Sequence, residues 1–168
     1  TYPNQTAIFT ATANQPDEIT IAGLAANTRY YYRMRYHAPG DGIDDWVVRD
    51  EHSFMTQRAP GETFVFTVTA DSHNATASNT TFVNAMNNIN ADHPDFHIDI
   101  GDTQFAESTQ NSAIQSNVDT AYKEYRATTH FGAFGHSTPV FLSTGNHEEE
   151  EGWNLDDSYS RGVANIQA

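Results

Sequence analysis

The chain of 168 residues has room for one ordinary domain or two small ones, and its 8 basic and 22 acidic side chains give a formal charge of −14. Nucleic acids bind proteins through lysine and arginine, so this charge excludes nucleic-acid binding by a basic surface. With 38% hydrophobic residues the chain is globular in composition, and the absence of cysteine excludes disulfides, thiolate metal sites and thiol nucleophiles.

The first 57 residues read as β-strands with no helix between them. Alternating or aromatic segments predict strands at residues 18–22 (EITIA), 30–36 (YYYRMRY) and 46–55 (WVVRDEHSFM). Strands that follow one another without helices favour antiparallel pairing. Residues 58–62 contain a Pro-Gly turn and are predicted to be a linker. No apolar run approaches the length of about 18 residues that a membrane span needs.

The turn before the second of these strands carries a recognisable pattern. Leu24, the pair Asn27-Thr28 and Tyr30 resemble the tyrosine corner of a fibronectin type III domain. The resemblance covers residues 1–57 and implies the C-terminal part of a β-sandwich. A whole domain of that type has about seven strands and about 100 residues, so we expect the chain to begin inside one.

After the linker the predicted elements alternate between strand and helix. Strands are predicted at residues 63–70, 96–100 and 139–143, and helices at residues 79–90 and 112–130. The first helix carries apolar residues at helical spacing, namely Phe82, Val83, Met86 and Ile89. The order β-α-β-α-β predicts an α/β fold with a mostly parallel sheet.

A short polar motif follows each of the three strands. The motifs are Asp71-Ser72-His73, Gly101-Asp102 and Gly145-Asn146-His147-Glu148. Ligands of open α/β sheets bind at the carboxyl ends of the strands, so residues distant in sequence are expected to meet there. Carboxylate, imidazole and amide side chains are ligands for Fe, Zn or Mn. The sequence therefore predicts a metal site at this sheet edge.

Three motifs of these types, in this order, resemble the calcineurin-like metallophosphoesterases, which include purple acid phosphatases. The resemblance implies the first β-α-β-α-β part of an αββα sandwich over residues 63–168. It also implies that Asp71 and His73 hold the first metal ion, that Asp102 bridges two ions, and that Asn146 holds the second. His147 would then be the catalytic residue that protonates the leaving oxygen or stabilises the phosphoryl oxygens.

The implied activity is hydrolysis of phosphomonoesters or phosphodiesters by a hydroxide that two metal ions activate. Two cations about 3.5–4 Å apart neutralise a phosphate and lower the pKa of a bound water. Bound cations would also allow a chain of charge −14 to hold an anionic substrate. The fibronectin-like part favours an extracytoplasmic location and contacts with protein or glycan partners.

The chain departs from the family pattern at two places. Purple acid phosphatases have an iron-binding Tyr four residues after the Gly of the second motif, and this chain has Phe105 there. The lone His and the Gly-His-x-His motif that follow the third motif in the family have no counterpart after His147. We therefore expect these 168 residues alone to bind metal poorly and to be inactive. The alternative hypothesis is a binding or assembly module with an incomplete, inert metal site.

The other polar residues are assigned structural roles. His97 and Asp99 alternate with apolar residues in the strand FHIDI and are predicted to be satisfied polar residues rather than ligands. The remaining histidines outside the motifs are predicted to be non-catalytic; they are His37, His52, His93, His130 and His136.

Overall fold

The computed structural model describes residues 2–13, 16–38, 40–42, 44–73, 80–103 and 123–145. The chain divides into two compact units, Thr1–Glu62 and Thr63–Ala168. Within the described ranges, no helix is long and apolar enough to cross a membrane.

The first unit contains two antiparallel strand pairs. Strand β1 (Arg29–Tyr32) pairs with β4 (His52–Met55), and β2 (Arg35–Tyr36) pairs with β3 (Val47–Val48). The ring of Tyr30 stacks on that of Phe54 across the first pair, with centroids 5.9 Å apart. The predicted antiparallel pairing is confirmed, although the strands predicted at residues 30–36 and 46–55 are each broken into two short ones.

The turn before β1 is fixed by hydrogen bonds to its backbone. The Ala25 N–H donates to the Tyr30 hydroxyl at 2.9 Å, and the Asn27 N–H donates to the Gln57 carbonyl at 2.9 Å. Asn27 has a φ of 51°, a left-handed conformation that Asn tolerates better than most residues. A tyrosine hydroxyl that binds backbone a few residues upstream is the contact that defines a tyrosine corner.

The strand predicted at residues 18–22 is absent. Its side chains Ile19 and Ile21 are 46% and 53% exposed, and no described strand pairs with this segment. An alternating apolar pattern forms a strand only where a neighbouring backbone supplies the ladder hydrogen bonds. The prediction was therefore wrong for residues 18–22.

The second unit is built on a three-stranded parallel sheet. Its strands are β5 (Phe66–Thr69), β6 (Phe96–Asp99) and β7 (Val140–Leu142), in the spatial order β5-β6-β7. Thr69 lies opposite Asp99, and Asp99 lies opposite Leu142, so the three strands end together at one edge. The prediction of a parallel α/β sheet is confirmed.

Helix α1 (Thr80–Asp92) connects β5 to β6 and supplies half of the apolar core. Phe82, Met86 and Ile89 are buried on one face, as their spacing predicts. They form a cluster with three aromatic side chains from the segment before β7, namely Tyr125, Phe131 and Phe134.

The second predicted helix does not continue to residue 130. Residues 112–122 lie outside the described part of the chain, and residues 125–130 form turns that lead into a 3₁₀ turn, Phe131–Ala133. The Ala127 N–H donates to the Glu124 carbonyl, three residues back rather than four. Thr128 and Thr129 have low helix propensity because their branched side chains lose rotamer freedom in a helix.

Two buried histidines sit in this core. His97 and His130 have no exposed surface, and His97 packs on the rings of Phe131 and Phe134 with centroids 5.6 and 5.1 Å away. Burial lowers the pKa of His97 to about 4 and also lowers the pKa of His130. Both rings are therefore neutral near pH 7.

These histidines predict acid sensitivity of the second unit. The unfolded chain protonates His97 below about pH 6.5, whereas the folded chain does so only near pH 4. The free energy of unfolding should therefore fall between these pH values, by on the order of 2 kcal/mol for His97. The raised pKa of Asp99 acts in the opposite direction, because the folded protein then keeps a proton that the unfolded chain releases.

Denaturant unfolding at a series of pH values measures this dependence. His97→Asn should flatten the curve between pH 6.5 and 4, whatever its effect on stability at pH 7, because it removes the titrating group. His93→Asn changes an exposed histidine of the same unit and should leave the slope as in the wild type. Equal slopes for the wild type and His97→Asn would contradict the assignment.

Candidate metal centre

The loops after β5 and β6 run side by side and are joined through their backbones. The Ile100 N–H donates to the Thr69 carbonyl at 3.0 Å, which extends the parallel ladder past both strands. The Asp71 N–H then donates to the Gly101 carbonyl, and the His73 N–H to the Asp102 carbonyl, each at 3.0 Å. The first two motifs are thus held in fixed register at the carboxyl edge of the sheet.

Three of the predicted ligands meet there. Asp71, His73 and Asp102 each offer one ligand atom, and these atoms all lie within 4.8 Å of one another. His73 Nε2 and Asp71 Oδ1 are 3.7 Å apart. The side chain of Asp71 is 71% exposed and that of His73 is 34% exposed, so the cluster is open to solvent and to a dissolved ligand.

All three residues have left-handed backbone. The φ angles are 49° at Asp71, 47° at His73 and 55° at Asp102. Asp and His enter this region more readily than most residues, yet each instance outside glycine costs about 1–3 kcal/mol. Such strain persists where the surrounding structure fixes the backbone, and it concentrates at functional sites.

Two glycines bring the loop after β7 against Asp102. Gly101 has a φ of 99°, and a Cβ at this position would collide with the backbone of Gly145. A Cβ at Gly145 would in turn collide with the side chain and backbone of Asp102. The two loops therefore touch at positions where no other residue fits.

The last predicted site residues lie outside the described part of the chain. They are the ligand Asn146 and the catalytic His147, together with the motif residue Glu148. Gly145, which immediately precedes Asn146, lies against Asp102. Phe105, which occupies the position of the iron-binding tyrosine, is also outside the described ranges.

The donor set fits a cation. Two carboxylates and one imidazole combine hard oxygen ligands with a nitrogen ligand that suits Zn, Fe or Mn. The backbone contacts fix the spacing of the donors before any ion binds, since both loops are joined by hydrogen bonds. Asp71, His73 and Asp102 are thus the described residues that would hold a metal ion.

A buried hydrogen-bonded network lies beneath these loops. Asp99 is 2% exposed and accepts hydrogen bonds from Thr69, Thr103 and the Gly101 N–H. Burial raises the pKa of Asp99, and these hydrogen bonds act against that rise. His97 contacts Thr67 and Thr69 at 2.8 and 3.1 Å. His97 and Asp99 are satisfied polar core residues, as predicted.

Thr103, like Thr67 and Thr69, is a residue of this network that the sequence did not single out. It is fully buried directly after Asp102, and its hydroxyl lies 2.9 Å from both oxygens of Asp99. A threonine after a Gly-Asp motif has no distinctive pattern. The polar Asp99 at an inward-facing strand position was the one visible sign of a buried partner.

Comparison with solved structures gives a relationship of fold. The chain is similar to the structure of a purple acid phosphatase isolated from yellow lupin (Lupinus luteus) seeds, with 18% identity and a TM-score of 0.52. The match covers 83% of this chain and 25% of that structure, so the chain spans about a quarter of its length. No family model and no curated protein sequence matches the chain. The fold of the matched region is therefore similar to that of this purple acid phosphatase, and the similarity concerns the fold alone.

The contact between Gly101 and Gly145 predicts that substitution of Gly101 lowers the stability of the second unit. Gly101→Ala adds a methyl group that collides with the Gly145 backbone and also forces alanine into a positive φ. We expect the free energy of unfolding of the second unit to fall by roughly 3 kcal/mol. Chemical denaturation measures this change.

Gly61→Ala is the matched control for the cost of placing alanine at a positive φ without a steric clash. Gly61 has a φ of 88° and open space around the added Cβ, so alanine there should cost about 1 kcal/mol in its own unit. If the two substitutions cost the same, the loops after β6 and β7 do not touch as described.

Proposed function

We propose that the chain belongs to a metal-dependent phosphoesterase. The observation that carries this proposal is the meeting of Asp71, His73 and Asp102 within 4.8 Å at the ends of adjacent parallel strands. The similarity between this fold and that of a purple acid phosphatase supports the proposal independently of the side chains. The substrate class would be phosphomonoesters or phosphodiesters, and water would be the second reactant.

Each site residue has a proposed role. Asp71 and His73 would hold one metal ion, Asp102 would bridge it to a second, and Asn146 would bind the second. The metal ions, of the type Fe, Zn or Mn, would supply positive charge for the phosphate and activate the attacking water. His147 would donate a proton to the leaving oxygen or bind a phosphoryl oxygen.

The first unit has a separate proposed identity. The hydrogen bond from the Ala25 N–H to the Tyr30 hydroxyl supports a fibronectin type III-like fold for residues 1–57, with residues 58–62 as linker. Residues 63–168 would then belong to the metallophosphoesterase domain. Such a pairing favours a secreted or periplasmic protein whose β unit contacts protein or glycan partners.

Metal analysis and hydrolysis of an aryl phosphate by the intact natural protein test this function. Asp102→Ala should lose metal and activity together, because it removes a ligand common to both ions. His147→Ala should keep its metal yet lose about 10²–10⁴-fold in kcat, because it removes a proton donor. Removal of metal with a chelator should abolish hydrolysis, and added Mn²⁺ or Zn²⁺ should restore it.

Two substitutions of the same kinds outside the site serve as controls. Asp92→Ala and His93→Ala change exposed residues near the C-terminal end of α1, and should keep both metal content and activity. Full activity in Asp102→Ala, or in His147→Ala, would contradict the corresponding role. A natural protein that binds metal but hydrolyses no phosphate ester would instead favour the binding or assembly module.

A further inference from the structure

The buried carboxylate of Asp99 contacts the residues on both sides of Asp102. One of its oxygens accepts a hydrogen bond from the Gly101 N–H at 3.1 Å, and both oxygens lie 2.9 Å from the Thr103 hydroxyl. The first contact spans two residues, as in an Asx turn, and bends the chain directly after β6. Asp99 thus accepts hydrogen bonds from the backbone of Gly101, just before Asp102, and from the side chain of Thr103, just after it.

Asp99 is in turn held by a series of hydrogen bonds in which each group donates to the next, from Thr67 through His97 and Thr69 to Asp99. The Thr69 hydroxyl donates its single proton to Asp99 at 2.6 Å, so it accepts from His97 Nε2 at 3.1 Å. His97 Nδ1 then accepts from the Thr67 hydroxyl at 2.8 Å. This order requires a neutral imidazole, in agreement with the lowered pKa of His97.

The direction of this chain leaves Asp99 as an acceptor at every contact. Thr69, Gly101 and Thr103 all present donors to it, which matches the hydrogen-bonding capacity of a carboxylate. An amide in its place would keep one acceptor oxygen, and its NH₂ group would donate to the Thr69 hydroxyl once the order through His97 reversed. Alanine is therefore the substitution that removes the acceptor from all three donors.

The consequence concerns the backbone of Asp102. Its φ of 55° is unfavourable for a residue with a Cβ, so some interaction has to hold it. The hydrogen bonds at Gly101 and Thr103 fix the chain immediately before and after this residue. They hold the Asp102 carboxylate beside Asp71 and His73 without touching the metal position themselves.

We propose that Asp99 and Thr103 are positioning residues that hold Asp102 in its metal-binding conformation. This inference rests on the proposed function, since it assigns a role toward the metal ion. Outer partners that orient a ligand typically contribute 10–100-fold to metal affinity. Asp99→Ala and Thr103→Val should therefore weaken Mn²⁺ binding by about 10–100-fold.

Mn²⁺ titration of the intact natural protein and its variants, with electron paramagnetic resonance used to measure the free ion, tests the proposal. Thr103→Val keeps the shape of the side chain and removes its donor, and Thr103→Ser should restore affinity. Thr138→Val is the matched control, because Thr138 is a buried threonine of the same unit whose hydroxyl donates to the Pro94 carbonyl at 3.3 Å. It should lose some stability and keep wild-type affinity.

A second measurement needs no metal. In the metal-free protein, amide hydrogen exchange at Gly101 should be faster in Asp99→Ala than in the wild type, because alanine removes the acceptor of this N–H. In Thr138→Val the Gly101 amide should exchange at the wild-type rate. Unchanged exchange at Gly101 in Asp99→Ala would overturn the proposed contact, even if that variant were too unstable for titration.

The outcomes separate this inference from the proposed function. If Asp102→Ala abolishes Mn²⁺ binding while Asp99→Ala and Thr103→Val bind as the wild type does, the positioning role is wrong and the metal site stands. Equal weakening in Thr103→Val and Thr138→Val would also overturn it, because the effect would then follow stability alone. If the wild type binds no Mn²⁺, or Asp102→Ala binds it unchanged, the proposed function fails and the positioning role fails with it.

Discussion

The pairing of the central strand β6 with both of its neighbours is the constraint on which the second unit depends. Because β5, β6 and β7 are parallel and in register, their carboxyl ends lie at one edge. The ladder continues one step past the strands, so that the loops carrying Asp71 and Asp102 are still joined by backbone hydrogen bonds. A shift by one residue along β6 would turn His97 and Asp99 away from the core and separate the site residues.

Much of this arrangement follows from the sequence. The spacing of Phe82, Met86 and Ile89 predicts helix α1 because a helix buries every third or fourth residue, and the structure has the same face buried. The polar motifs after the strands predict where the candidate ligand side chains gather, because parallel strands end together. For Asp71, His73 and Asp102 the structure shows this gathering.

Other features depend on contacts that a sequence pattern does not contain. Residues 18–22 alternate as a strand should, but pairing requires a neighbouring backbone and none of the described strands supplies one. At residues 125–130 the expected helix is replaced by turns, which lead to the buried side chains of Phe131 and Phe134. The left-handed backbone at Asp102 is likewise set by hydrogen bonds from both sides rather than by its own residue type.

The contact between Gly101 and Gly145 has a consequence for attempts to redesign this protein. Since each glycine leaves space for the other loop, the two positions form a joint that admits no side chain. Variant libraries that target this sheet edge should therefore keep both glycines and vary exposed positions outside the loops that carry Asp71, His73 and Asp102. Randomising the whole sheet edge would place a side chain at Gly101 or Gly145 in most variants. In those variants the loops after β6 and β7 could not make their contact.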